Sequence, residues 1–176
     1  MKNRKIVLGV CGSIAIVKTV ELIRELRRQG FEVECVMSKD AQRLLQPDAL
    51  LWASGNEVIT ELDGNVNYIK SCSAEGDTDL LLICPATANT ISKIACAIGD
   101  TPVTTYALIA LGSGIPVLIA PAMHLDMYYN PILKENIEKL KKLGVKFVEP
   151  KIEENKAKFP GKREIVESVK EILKSF

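Results

Sequence analysis

The 176-residue chain has no CxxC pair, no GxGxxG turn, no internal repeat and only one histidine, His124. Its five cysteines (Cys11, Cys35, Cys72, Cys84 and Cys96) are odd in number and widely spaced, so neither a zinc site nor a cluster is indicated. Three of them lie in or beside apolar runs that read as buried strands, where a free thiol behaves as a small hydrophobe. A reducing, cytoplasmic setting follows. No apolar run approaches the roughly 18 residues needed to span a bilayer. The start is basic (Lys2, Arg4, Lys5), but its apolar run breaks at Gly9 and Gly12, too soon for a signal peptide. A net charge of +1 leaves no basic stripe for nucleic acid and no polybasic face for a membrane.

What is present is the ordinary balance of a globular chain: 47% hydrophobic and 26% charged residues, enough for one domain over residues 1–176. Strand and helix signals alternate. Lys5–Val10 is a short apolar run ending at Cys11-Gly12-Ser13, a buried strand and a tight turn. Ile14, Val17, Ile23 and Leu26 recur at helical spacing up to Gly30, and Phe31–Met37 is a second strand. Ser38-Lys39-Asp40 opens a short helix, and Pro47 starts another. Residues 55–77 are the least regular, with a weak strand at Val58–Ile59.

Leu80–Cys84 is an unbroken apolar run, expected for a central parallel strand and ended by Pro85. Helices are expected over Thr87–Ala97 and Val103–Leu111, with a strand at Val117–Ala120 stopped by Pro121. Asn130-Pro131 caps a helix that Gly144 closes; Val145–Val148 is a last strand and Glu164–Leu173 a last helix. The charged stretch Lys151–Lys162 reads as mobile. The alternation predicts an α/β fold: a doubly wound, Rossmann-like or flavodoxin-like parallel sheet in one three-layer domain.

Ligands of such sheets bind outside the carboxyl ends of the strands. Three segments converge there: Gly12-Ser13-Ile14, Pro85-Ala86-Thr87-Ala88-Asn89-Thr90, and Pro121-Ala122-Met123-His124. Helix starts expose unpaired N–H groups and a positive dipole end, suited to a phosphate or an electron-rich ring edge. Plainer readings stand beside these. Gly12-Ser13 also reads as a capped turn, Ser38, Thr87 and Asn89 as N-caps, and a lone histidine is often structural. The absence of GxGxxG and of a P-loop lysine excludes the familiar dinucleotide and nucleotide loops.

The blocks IVLGVCGSIA (6–15), PATANTISKIA (85–95) and APAMHLDMYYNP (120–131) resemble the FMN-containing cysteine decarboxylases, which include phosphopantothenoylcysteine decarboxylase and the lantibiotic-peptide decarboxylases. The similarity covers residues 4–150. It implies FMN as cofactor, with Gly12, Ser13, Ile14, Ser38 and Lys39 at its phosphate and ribityl chain. Thr87, Ala88, Asn89 and Thr90 would hold the ring, and Ala122 and Met123 would line it. It also implies a homotrimer, or a dodecamer of trimers, with FMN at subunit contacts. The implied chemistry oxidises a small-molecule cysteine substrate to a thioaldehyde that loses CO2, within coenzyme A synthesis.

Four positions depart from the family pattern. His124 stands where the family has a carboxylate-gripping asparagine, a PAMH variant resembling archaeal members. The family's catalytic histidine should fall near Tyr68–Ser71, where none exists, leaving Tyr68 as the replacement acid. The tail lacks the family's flap cysteine, although Lys156-Ala157-Lys158 resembles the archaeal flap. Cys96 stands at a position commonly glycine; a packed thiol is its preferred reading over a redox-active one. Two functions follow: a decarboxylase, whose usual fused partner would be a separate protein, or a flavin reductase or electron carrier, ferredoxin-linked or like dihydromethanopterin reductase.

Overall fold

The computed structural model describes residues 4–175. The chain runs β1 (Lys5–Val10), a 3-10 turn (Ile14–Lys18), α1 (Thr19–Arg28), β2 (Glu32–Met37), α2 (Lys39–Leu44), α3 (Pro47–Ser54), β3 (Val58–Ile59), α4 (Asn67–Cys72), β4 (Leu80–Ala86), α5 (Ala88–Ala95) and α6 (Pro102–Ser113). It continues through β5 (Val117–Pro121), β6 (Met123–His124), α7 (Leu125–Tyr128), α8 (Pro131–Lys142), β7 (Lys146–Phe147), β8 (Lys151–Glu153), β9 (Lys156–Lys158) and α9 (Lys162–Lys174).

Six strands form one parallel sheet in the order β3-β2-β1-β4-β5-β7. The order reverses between β1 and β4, which puts the crevice of a doubly wound sheet at their carboxyl ends. Every residue of β1, β4 and β5 is buried, because helices cover both faces. Alternate side chains feed two cores. Ile6, Leu8 and Val10 join Leu22, Ile23, Leu26 and Ile165 on one side; Val7, Leu81, Ile83 and Ile119 join Ile91, Tyr106 and Ile137 on the other. Each such Leu or Ile contributes about 1.5–3 kcal/mol on burial. Caps set the helix starts: Asn130 accepts from the N–H groups of Ile132 and Leu133, with Pro131 filling the first turn of α8.

The expected strands and helices are observed, with differences at four places. β4 runs through Pro85 to Ala86 rather than stopping at the proline, because the pairing with β5 shifts register there and resumes at Ala86–Pro121. Within the irregular 55–77 stretch, α4 forms and buries Ser71 and Cys72. The stretch expected to be mobile forms a hairpin: β8 pairs with β9, and β9 pairs antiparallel with β6 in a second, three-stranded sheet. The basic start is also more than a solvated run. Lys5 is largely buried, with its ammonium 2.8 Å from Glu34 and 2.9 Å from Asp77. Burial depresses its pKa, but the two carboxylates outweigh that and raise it.

Candidate functional site

The carboxyl ends of β2, β1, β4 and β5 are tied side by side by backbone hydrogen bonds. Ser38 N–H donates to Val10 (3.0 Å), Cys11 N–H to Pro85 (3.2 Å) and Ala122 N–H to Ala86 (3.0 Å). These bonds bring Ser38-Lys39, Gly12-Ser13-Ile14, Thr87–Thr90 and Ala122-Met123 onto one edge, with the β1–β4 reversal at their centre. The buried Cys11 thiol lies close to Thr90 and the Thr87 backbone, beside the start of α5.

Three hydroxyls proposed from sequence are committed to their own elements. Ser13 accepts from Ala15 N–H (3.4 Å), Ser38 from Ala41 N–H (3.3 Å) and Thr87 from Thr90 N–H (3.3 Å). The capping readings therefore hold for all three. Asn89, by contrast, is exposed in the first turn of α5 rather than being a cap. First-turn N–H groups of a helix have no intrahelical acceptor, so those of Lys39, Ala88 and Asn89 remain available at this edge. Gly12 approaches α2 closely: a methyl group there would lie 2.5 Å from Asp40 Cβ and 3.0 Å from its backbone carbon.

Beside this edge opens a cleft of about 420 Å³, within the roughly 300–1,000 Å³ of small-molecule sites. Its walls are Ser13, Ile14, Ala15, Val17 and Lys18 on one side, Ala122, Met123 and His124 on another, and Lys156–Phe159 of the hairpin on a third. The charged groups lining it are Lys18, Lys156 and Lys158, with no carboxylate among the lining residues.

His124 caps α7: its Nδ1 accepts from Asp126 N–H at 3.4 Å. Nδ1 also lies 3.4 Å from Asp126 Oδ2; with Nδ1 accepting from the Asp126 N–H in the neutral ring, or paired with that carboxylate in the protonated ring, Nε2 carries a proton and can donate. Asparagine has the same two faces, a carbonyl oxygen that can cap and an amide that can donate.

The Flavoprotein family profile matches residues 1–174. The chain belongs to that family. It is 54% identical over 165 residues to the coenzyme A biosynthesis bifunctional protein CoaBC of Thermococcus kodakarensis, a match covering 93% of this chain and 41% of the relative. It is 37% identical over 151 residues to a probable phosphopantothenoylcysteine decarboxylase of Streptococcus mutans, covering 85% of this chain and 84% of the relative. Among solved structures, the FMN-dependent cysteine decarboxylase SpaF superposes with a TM-score of 0.83 at 27% identity, covering 96% of this chain and 97% of SpaF. The chain spans about two fifths of the bifunctional relatives it matches.

Tyr68 of this flavoprotein is not brought to the cleft. It packs edge-on against Tyr106 in the layer of α4 and α6, with ring centroids 6.3 Å apart at 69°. The cysteines are equally removed from chemistry. Burial pushes Cys11 and Cys72 up to about 11 and Cys35 up to about 12, so these thiols stay protonated and act as apolar filling. Cys96 is exposed, not packed. It ends α5, eight residues and about 12 Å from that helix's start at the crevice. The left-handed backbone that favours glycine belongs to its neighbour Ala97, at φ 55°.

A larger groove of about 740 Å³ lies at the amino ends of β5 and β7, lined by Leu111, Ile115, Leu143, Phe147 and Ile172. None of its lining residues belongs to the joined carboxyl ends of β2, β1, β4 and β5, where the fold class places its chemistry. Lys18 and Phe159 were not legible as site features in the sequence, whereas Lys156-Ala157-Lys158, expected as a flap by resemblance, does line the cleft.

Proposed function

We propose that this flavoprotein binds FMN along the joined strand ends and decarboxylates 4'-phosphopantothenoylcysteine in coenzyme A synthesis. The observation that carries this reading is the meeting of the Gly12 turn, the α5 start and the PAMH block, where His124 offers a donor to a cation-lined cleft. The residues fit a mononucleotide. Gly12 leaves no Cβ between the turn and α2, the first-turn N–H groups suit a phosphate, and no pyrophosphate fingerprint follows β1.

FMN, when bound, would accept two electrons from the substrate's cysteine and return them to the decarboxylated product, so that turnover consumes no external oxidant. The protein's own contributions are orientation and charge. His124 Nε2–H donates to the substrate carboxylate, and the lysines around the cleft favour an anionic ligand. The hairpin paired to β6 forms one wall of the cleft. Ile14 and Val17 are 74% and 68% exposed at its rim, apolar surface that supports a homo-oligomer in which a second copy covers the bound ring.

A second reading, a flavin reductase or electron carrier, is favoured by one feature: the region 68–71 holds no histidine, and Tyr68 faces Tyr106 instead of the cleft. Anaerobic incubation of the purified holoprotein with phosphopantothenoylcysteine separates the two. CO2 release at stoichiometry above one per chain is expected. No release, together with rapid reduction by ferredoxin, would replace the decarboxylase with the electron carrier.

A further inference from the structure

Beta strand pairing places a second donor beside His124. β6 and β9 run antiparallel with His124 directly opposite Lys156. Directly opposed residues of such a pair share one face, with Cβ atoms about 5 Å apart. Both residues line the cleft. The hairpin's other lysines are occupied: Lys151 pairs with Glu164 at 3.2 Å, and Lys158 with Glu153 at 3.2 Å and Glu154 at 2.9 Å. Lys156 forms no ion pair among the described residues. Glu154 lies near enough to feel its charge, but its carboxylate is held by Lys158.

We propose that Lys156 is a specificity-determining residue that, with His124, grips the substrate carboxylate, one oxygen on each donor. This deepens the decarboxylase reading and rests on it. The side chains of His124 and Lys156 start side by side at the Cβ spacing of a sheet pair, within reach of the two oxygens of one carboxylate. The ammonium sits on a strand that is itself fastened: Leu125 N–H donates to Asn155 at 3.0 Å, at the hairpin tip. The hairpin therefore delivers a charge to the PAMH block rather than only covering it.

The test compares two ligands that differ only by the carboxylate: phosphopantothenoylcysteine and phosphopantetheine. Each is mixed with anaerobic holoprotein in a stopped-flow instrument, and affinity is read from the flavin absorbance change of the binding phase, before turnover. Wild type should bind both, the first more tightly. Lys156→Gln should weaken phosphopantothenoylcysteine by about tenfold, leave phosphopantetheine unchanged, and keep its flavin. Lys156→Arg should restore most of the difference, and Lys151→Gln, a charge change on the same hairpin, should leave it intact. Equal loss for both ligands, or no loss, overturns the inference while the decarboxylase reading stands. Loss of flavin from Lys156→Gln overturns it too, since the lysine would then serve the cofactor. A wild type that binds neither ligand removes the reading itself and the inference with it.

Discussion

Gly12→Ala is expected to give a folded, colourless protein. The added methyl would sit 2.5 Å from Asp40 Cβ and 3.0 Å from the Asp40 backbone carbon, closer than real side chains tolerate. The obstacle is not a flexible side-chain end, because Asp40 lies in the first turn of α2, fixed behind the Ser38 cap. Either the Gly12 turn or the start of α2 must therefore shift. Overpacking of this kind costs about 1–3 kcal/mol, and the displacement falls where strand ends one and two meet. FMN affinity should drop by about 100-fold, equivalent to about 2.7 kcal/mol. Flavin absorbance per chain after purification, read beside circular dichroism, measures this. Gly64→Ala serves as control, since a methyl at Gly64 meets nothing within 4 Å. A yellow Gly12→Ala protein with normal FMN affinity would move the phosphate elsewhere.

His124→Leu is expected to keep its flavin and lose about 10–100-fold in kcat/KM for decarboxylation, the worth of a hydrogen bond to a charged group. It also removes the cap of α7, at about 1 kcal/mol of stability. His124→Asn restores a capping oxygen and a donating amide together, so its kcat/KM should stay within about threefold of wild type. Steady-state CO2 release and a melting curve on each variant separate the two losses. If leucine matches wild type, or asparagine fails as badly as leucine, His124 is only a cap.

Strong one-dimensional signals account for what the sequence revealed. Leu80–Cys84 and residues 6–10 are apolar without alternation, as strands covered on both faces require, and both are buried. Asn130-Pro131 announced α8 through a cap and a first-turn proline that the structure uses as such. The hairpin gave no comparable signal. Its strands have three residues each and carry charges at most positions. Its turn places Glu154 and Asn155 at φ 50° and 55° without the glycine that usually marks such turns. Its partner β6 is only two residues long, too short for any periodicity. The candidate site was legible where turn residues punctuate apolar runs, at Gly12-Ser13, Thr87–Thr90 and Ala122–His124. It was illegible where distant segments meet, as with Lys18 beside Phe159, 5.7 Å from the ring centroid, and Lys156 opposite His124. Tyr68, expected near the family's histidine, packs against Tyr106 where α4 meets α6, a contact between distant segments that no local signal announces.

The most direct measurement is an equilibrium titration of flavin-free protein with FMN and with riboflavin, which lacks the phosphate. Joined strand ends that cradle a phosphorylated flavin should take up one FMN per chain and bind riboflavin at least about 100-fold more weakly, because the helix-start N–H groups lose their anion. Equal affinity for the two would place the phosphate outside this edge, and no uptake of either would contradict the site altogether.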